Sequence, residues 1–150
     1  MVSCNANVVT RLDSIVMKID KLSDIQHATK CKKGFKINQN RCYKYVATKM
    51  NFFEAEMFCR TQQSSLTDIS DANEEQWIRK LMEDPQIWTS GSDLAEHGEW
   101  KWLSSGLPMT FTNWFKGQPQ NNQEHCLCFF KPTAWNDCGC SEKFAFICKY

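Results

Sequence analysis

From Val8 to Gln26 the apolar residues Val8, Leu12, Ile15, Ile19 and Leu22 follow alternating steps of four and three, the seam of a heptad helix. The seam covers fewer heptads than a self-standing coiled coil, and a helix this short is marginal in water, so it has to lean on another surface. Two arrangements meet that need: packing on the chain's own domain, or a parallel or antiparallel helix pair between two chains. His27 to Lys33 is polar and basic and reads as a linker.

Beyond the linker the pattern changes. Alternating Tyr43 and Tyr45 within Cys42 to Val46 predict a strand. Asn51 followed by Glu54 has the form of a capping box, opening a helix whose Phe52, Ala55 and Cys59 face inward. Asp71 with Glu74 opens a second helix, with Trp77, Ile78, Leu81 and Met82 as its apolar face and Pro85 as its stop. From Ile87 onward, short apolar segments are broken by Gly91, Gly98, Gly106, Pro108, Gly117 and Pro119, which predicts strands joined by long loops. Two helices followed by mostly antiparallel strands is an α+β pattern. The stretch from Pro108 to Glu124 is long for a loop in a compact domain, and such loops usually carry function.

Composition narrows the reading. With 150 residues, 42% hydrophobic and 13% aromatic, the chain can build one dense core plus an appendage. Its division is therefore 1–30 as helix and dimerisation segment and 31–150 as globular domain. A net charge of +1 gives no general attraction to nucleic acid or anionic membrane, so binding has to come from a local site. No apolar run approaches the roughly 20 residues of a membrane span. Nine cysteines imply an oxidising compartment, and Met1-Val2-Ser3-Cys4-Asn5 lacks the regions of a leader, so a mature, secreted chain is expected. No Asn-x-Ser/Thr acceptor is present. His27, His97 and His125 are not spaced as a metal set, and no triad context surrounds them, so catalysis is not expected. The tryptophans Trp77, Trp88, Trp100, Trp102, Trp114 and Trp135 read as core, and Lys30, Lys32 and Lys33 as a solvated linker patch.

Three segments carry candidate chemistry: Gln118-Pro119-Gln120, Glu124-His125-Cys126 and Trp135-Asn136-Asp137. Carboxylates and carboxamides are what a hard cation prefers, since Ca²⁺ takes about six to eight oxygen ligands. With Cys31-Cys42, Cys59, Ile87-Trp88-Thr89-Ser90-Gly91, Trp114 and Phe146-Ile147-Cys148, these segments resemble the C-type lectin domain in its long form, from about Cys31 to Tyr150. Trp88-Thr89-Ser90-Gly91-Ser92-Asp93, Thr112-Asn113-Trp114 and Gly117-Gln118-Pro119 are most similar to the secreted lectins of insects.

The resemblance implies a secreted, calcium-dependent lectin that recognises glycans on cell or microbial surfaces, a role in innate immunity. Its calcium would be held by Gln118, Gln120, Glu124, Asn136 and Asp137, and the same oxygens would bind sugar hydroxyls. In the family the turn's proline peptide is cis, which X-Pro bonds accept readily, and calcium is the agent expected to order the long loop. The family's turn is commonly Glu-Pro-Asn for mannose-type or Gln-Pro-Asp for galactose-type sugars. Gln118 leans toward the galactose type, whereas Gln120 departs from both. Only Glu124 and Asp137 then bring formal charge, which weakens calcium affinity, and the interval from Gln120 to Glu124 is shorter than usual. A second calcium site of some members would use the Asp93 to Glu99 loop. The acid expected at 97 is a histidine, so that site is not expected and Asp93 reads as a turn residue.

The resemblance also implies disulfides Cys31–Cys42, Cys59–Cys148 and Cys126–Cys140, the second contributing about 5 kcal/mol in the chain-entropy model. Cys128 and Cys138 would face each other on adjacent strands and form a fourth, with a Cys₄ zinc site from Cys126, Cys128, Cys138 and Cys140 as the rival. Cys4 is left odd, at the head of the heptad helix, where it would clasp a disulfide-linked homodimer or heterodimer. A different class of function stands beside the lectin: a lectin-like scaffold with a degenerate calcium site that binds protein through its loops or through a disulfide-linked partner.

Overall fold

The computed structural model describes residues 10–18, 30–120 and 123–150. A helix over residues 10–18 (α1) is followed by β1 (Lys36–Asn38), β2 (Arg41–Met50), α2 (Phe52–Thr61), β3 (Ser65–Leu66), α3 (Ala72–Leu81), β4 (Gln86–Ser92), β5 (Lys101–Trp102), β6 (Cys126–Phe130), β7 (Trp135–Cys138) and β8 (Phe144–Lys149). This is the α+β architecture expected from the sequence, helices with mostly antiparallel strands joined by long loops.

The strands lie in the order β1-β2-β8-β4-β6-β7, with β3 added on β8 and β5 on β4. All the named pairs are antiparallel except β4 with β8, where Ile87 meets Ala145 and Trp88 meets Phe146. β2 runs four residues past the predicted strand because pairing with β8 continues, through a bulge, to Met50 and Phe144.

Buried strands read as unbroken apolar runs, and their period of two sorts residues between two cores. Ile87, Leu127, Phe129, Ala145 and Ile147 join Ile78, Leu81 and Met82 of the α3 region and Trp135. Trp88, Cys126, Cys128, Phe144, Phe146 and Cys148 instead meet Phe52, Ala55 and Cys59 of α2. The α2 cap is reciprocal: Glu54 N–H donates to Asn51 Oδ1 at 2.9 Å, and Asn51 N–H donates to Glu54 Oε2 at 3.0 Å. At α3, Glu74 N–H donates to Asp71 Oδ1 at 2.8 Å, but the Glu74 side chain turns inward and is 6% exposed.

The described cysteines form four disulfides: Cys31–Cys42, Cys59–Cys148, Cys126–Cys140 and Cys128–Cys138. Their register differs from the face-to-face arrangement read from spacing. Cys126 lies opposite Cys138 and Cys128 opposite Asn136, so both bridges between these segments run diagonally. Diagonal neighbours on one sheet face remain within reach, and the Cα separations are 5.2 and 6.0 Å. With all four of these sulfurs bonded in pairs, the Cys₄ zinc alternative falls.

Of the heptad seam, Leu12 and Ile15 are described and are 55% and 51% exposed; Val8, Ile19, Leu22 and Cys4 lie outside the described residues. Every described residue of α1 is exposed, so its apolar residues are not packed on the chain's own domain. Lys32 is a structural residue rather than a free linker cation. Its Nζ reaches Gln62 O at 3.2 Å and Gln63 Oε1 at 3.0 Å and sits 4.5 Å from the Tyr150 ring centroid.

Candidate functional site

The long loop is positioned from Trp135 on β7. Trp135 N–H donates to Asn113 O at 2.9 Å, and Phe115 N–H donates to Trp135 O at 2.8 Å, so the loop runs alongside the strand. Trp102, Phe111 and Trp114 meet the Trp135 ring edge to face at centroid distances of 5.7, 5.6 and 6.0 Å. Asn113 Nδ2 donates to both Glu75 oxygens, at 2.8 and 3.1 Å, and Arg79 holds the same carboxylate at 2.7 Å. An aromatic wedge and a link from α3 therefore place this segment. Sequence reasoning missed Glu75 and Asn113, because an i,i+4 Glu–Arg pair on a helix ordinarily signals a solvated face. Trp88, Trp102 and Trp135 are buried, while Trp77, Trp100 and Trp114 are half-buried against the α3-side core.

Two of the three candidate segments converge on this frame, and the third flanks it. The Gln118–Pro119 peptide is cis, and Gly117 before it adopts φ +88°, a conformation that only glycine takes without strain. Gln120 N–H donates to Asp137 Oδ2 at 2.8 Å, which ties the turn to β7. Gln118 and Asn136 line a shared groove of about 310 Å³ with Phe115, Phe130, Thr133 and Ala134. Glu124 is half-buried, two residues ahead of the first residue of β6.

The donor set can be tested for fit to a hard cation. Asp137 is 0% exposed, and one of its carboxylate oxygens, Oδ1, is buried without a hydrogen-bond partner. Gln118 Oε1 is in the same condition. Among the described residues the other unsatisfied buried side-chain atoms are indole N–H donors, on Trp77, Trp100 and Trp135. Buried acceptors without donors are costly, and both belong to the expected calcium set. Oxygen-only ligands with two carboxylates and three carboxamides suit Ca²⁺.

Asp93 does more than make a turn. Gly98 N–H donates to its Oδ2 at 2.8 Å, and His125 Nδ1 lies 2.9 Å from its Oδ1. The rings of His97 and His125 approach to 5.3 Å between centroids. These histidines looked unrelated along the chain because they are brought together only by the pairing of β4 with β6.

A family model described as the lectin C-type domain matches residues 48–150. Perlucin of Haliotis laevigata is 37% identical over 128 residues, which span 79% of this chain and 82% of perlucin. The C-type lectin domain family 17, member A, of Homo sapiens is 31% identical over 121 residues, 79% of this chain and 32% of that protein. Among solved structures, the mouse scavenger receptor C-type lectin carbohydrate-recognition domain superposes with a TM-score of 0.76 at 33% identity, covering 81% of this chain and 98% of that one. A calcium-independent type II antifreeze protein superposes with a TM-score of 0.77 at 26% identity, covering 83% and 96%.

Proposed function

The chain belongs to the C-type lectin domain family, whose members are carbohydrate-binding, non-enzymatic proteins, and from that premise we propose that it is a secreted, calcium-dependent lectin. Gln118, Gln120, Glu124, Asn136 and Asp137 would hold the ion. Bound there, calcium would supply coordination positions for two adjacent sugar hydroxyls. The chain's own groups do the rest: the carboxamides of Gln118, Gln120 and Asn136 can donate to or accept from those hydroxyls, while Glu124 and Asp137 only accept. Phe115 and Phe130 give the groove beside Gln118 and Asn136 an aromatic wall, against which the C–H face of a galactose-type sugar can lie.

The observation that carries this reading is the pair of buried, unsatisfied acceptors Gln118 Oε1 and Asp137 Oδ1. The mouse relative is itself described as a carbohydrate-recognition domain. For the segment 1–30 the proposal is dimerisation through α1 and Cys4, supported by the exposure of Leu12, Ile15, Val16 and Met17. Single sugar sites are weak, and linking two raises apparent affinity by about 10²–10⁴ on a glycan-coated surface, which suits pattern recognition in innate immunity.

The test is thermal unfolding of the oxidised protein in millimolar calcium and in chelator, followed by retention on galactose- and mannose-type resins. Calcium at about 100 times its dissociation constant adds roughly 2.7 kcal/mol. An unchanged melt would replace this reading with the protein-binding scaffold; the type II antifreeze protein that shares the fold is itself described as calcium-independent. A non-reducing gel showing only monomer would remove the Cys4 clasp.

A further inference from the structure

Outside the five-residue calcium set, the fold gathers Asp93, His97 and His125 so that one donor atom of each lies within 4.8 Å of the others. Two of the three are fixed. The Asp93 side chain is 1% exposed. Its backbone N–H donates to the His125 carbonyl at 3.2 Å, next to the Ser92–Cys126 pair that joins β4 to β6. Cys126 is in turn bonded to Cys140. With Oδ2 held by Gly98, Oδ1 is the oxygen turned toward the imidazole of His125. The third group is adjustable: His97 is exposed on the turn before Gly98, whose φ of +86° brings the chain back toward Asp93.

Two imidazoles and one carboxylate form a nitrogen-rich set. Calcium selects oxygen ligands, whereas imidazole suits zinc and its neighbours in the first transition row. We infer that Asp93, His97 and His125 form a site for a divalent transition metal of the zinc type, with water as the fourth ligand. Bonds of about 2.0–2.2 Å place tetrahedral ligands roughly 3.4 Å apart, so the wider separations, up to 4.8 Å, have to close while the 2.9 Å contact between Asp93 and His125 opens slightly. Rotation of the exposed His97 side chain supplies that movement. His97 stands where the loop would need an acid to hold calcium, and the imidazole changes which ion the loop accepts. Glu99 flanks the site on the same loop and adds negative potential for a divalent cation, whereas Glu96 is offset by Lys101, whose Nζ lies 4.0 Å away. The metal would fasten the 94–98 turn to the start of β6.

The experiment uses the oxidised chain with Cys4 alkylated, in millimolar calcium. Zn²⁺ is titrated by calorimetry, and Co²⁺ is followed by its visible absorption. One Zn²⁺ per chain is expected, together with the d–d band of a low-coordinate Co²⁺ centre. His97→Ala and His125→Ala should each weaken uptake by about tenfold or more, with circular dichroism unchanged. His27→Ala and Asp137→Asn should leave it intact, the latter separating this site from the calcium set. Absence of stoichiometric Zn²⁺ uptake would overturn the inference, and so would uptake that persists in the His97→Ala/His125→Ala double variant.

Discussion

Glu74 offers the sharpest quantitative test of how this domain is held together. Its Oε1 accepts from Tyr43 Oη at 2.6 Å and from Lys149 Nζ; its Oε2 accepts from Ser70 N–H at 2.8 Å and Ser70 Oγ at 2.6 Å. Burial pushes the Glu74 carboxyl up, but hydrogen bonds from Lys149, Ser70 and Tyr43 outweigh it and lower the pKa from 4.5 to about 2. At 1.36 kcal/mol per pKa unit, a drop of that size corresponds to about 3 kcal/mol of stability. A folded-state pKa below the unfolded one means the contribution is complete above pH 4.5 and is lost as pH falls toward 2. Glu74→Gln removes it at every pH, because whichever end becomes the amide nitrogen faces donors. Urea unfolding with disulfides intact should therefore show the variant about 3 kcal/mol weaker at pH 6, a melting decrease of roughly 6–12 °C for a chain this size. The two proteins should converge near pH 2. A deficit under 1 kcal/mol at pH 6, or one that stays constant to pH 2, would refute the reasoning.

Three further outcomes can be checked with similar assays. Asp137→Asn should abolish the calcium-dependent rise in melting temperature and leave far-ultraviolet circular dichroism unchanged. Gly91→Ala should destabilise by about 1–3 kcal/mol in denaturant, since a Cβ there would stand 2.5 Å from Met109 Cε and 2.8 Å from Leu127 Cβ. Asn51→Ala removes the side-chain half of the α2 cap, the acceptor of the Glu54 N–H, while the backbone N–H of residue 51 still donates to Glu54; it should cost about 1 kcal/mol, read from the same urea transition.

Features encoded within a few residues were legible in the sequence. Asn51 with Glu54 and Asp71 ahead of α3 announce helix starts because a cap needs only its own turn. The inward role of Glu74 was hidden, because one Asp-x-x-Glu pattern fits both an exposed capping box and a carboxylate drawn into the core. The central place of β8 was equally silent: Phe144 to Cys148 is apolar at almost every position, and such a run says buried without saying beside which strands. For the site, the oxygen-bearing residues were found through a resemblance that carries position with it. The convergence of His97 and His125 depends on a register irregularity between Trp88 and Ser92 that no spacing rule contains.

The place of β8 also governs when the protein can exist at all. It is the strand that β2, β3 and β4 all pair with, and it leaves the ribosome after all three. Until Phe144 to Lys149 emerge, the sheet lacks its middle, and Cys59 waits 89 residues for Cys148. At about 5–20 residues per second that wait lasts roughly 4–18 s. Cys31 and Cys42, 11 residues apart, meet long before. Synthesis thus passes through an interval in which the lectin domain is still open, and under the proposed dimerisation through α1 that is when two nascent chains would meet, before either has a site to offer.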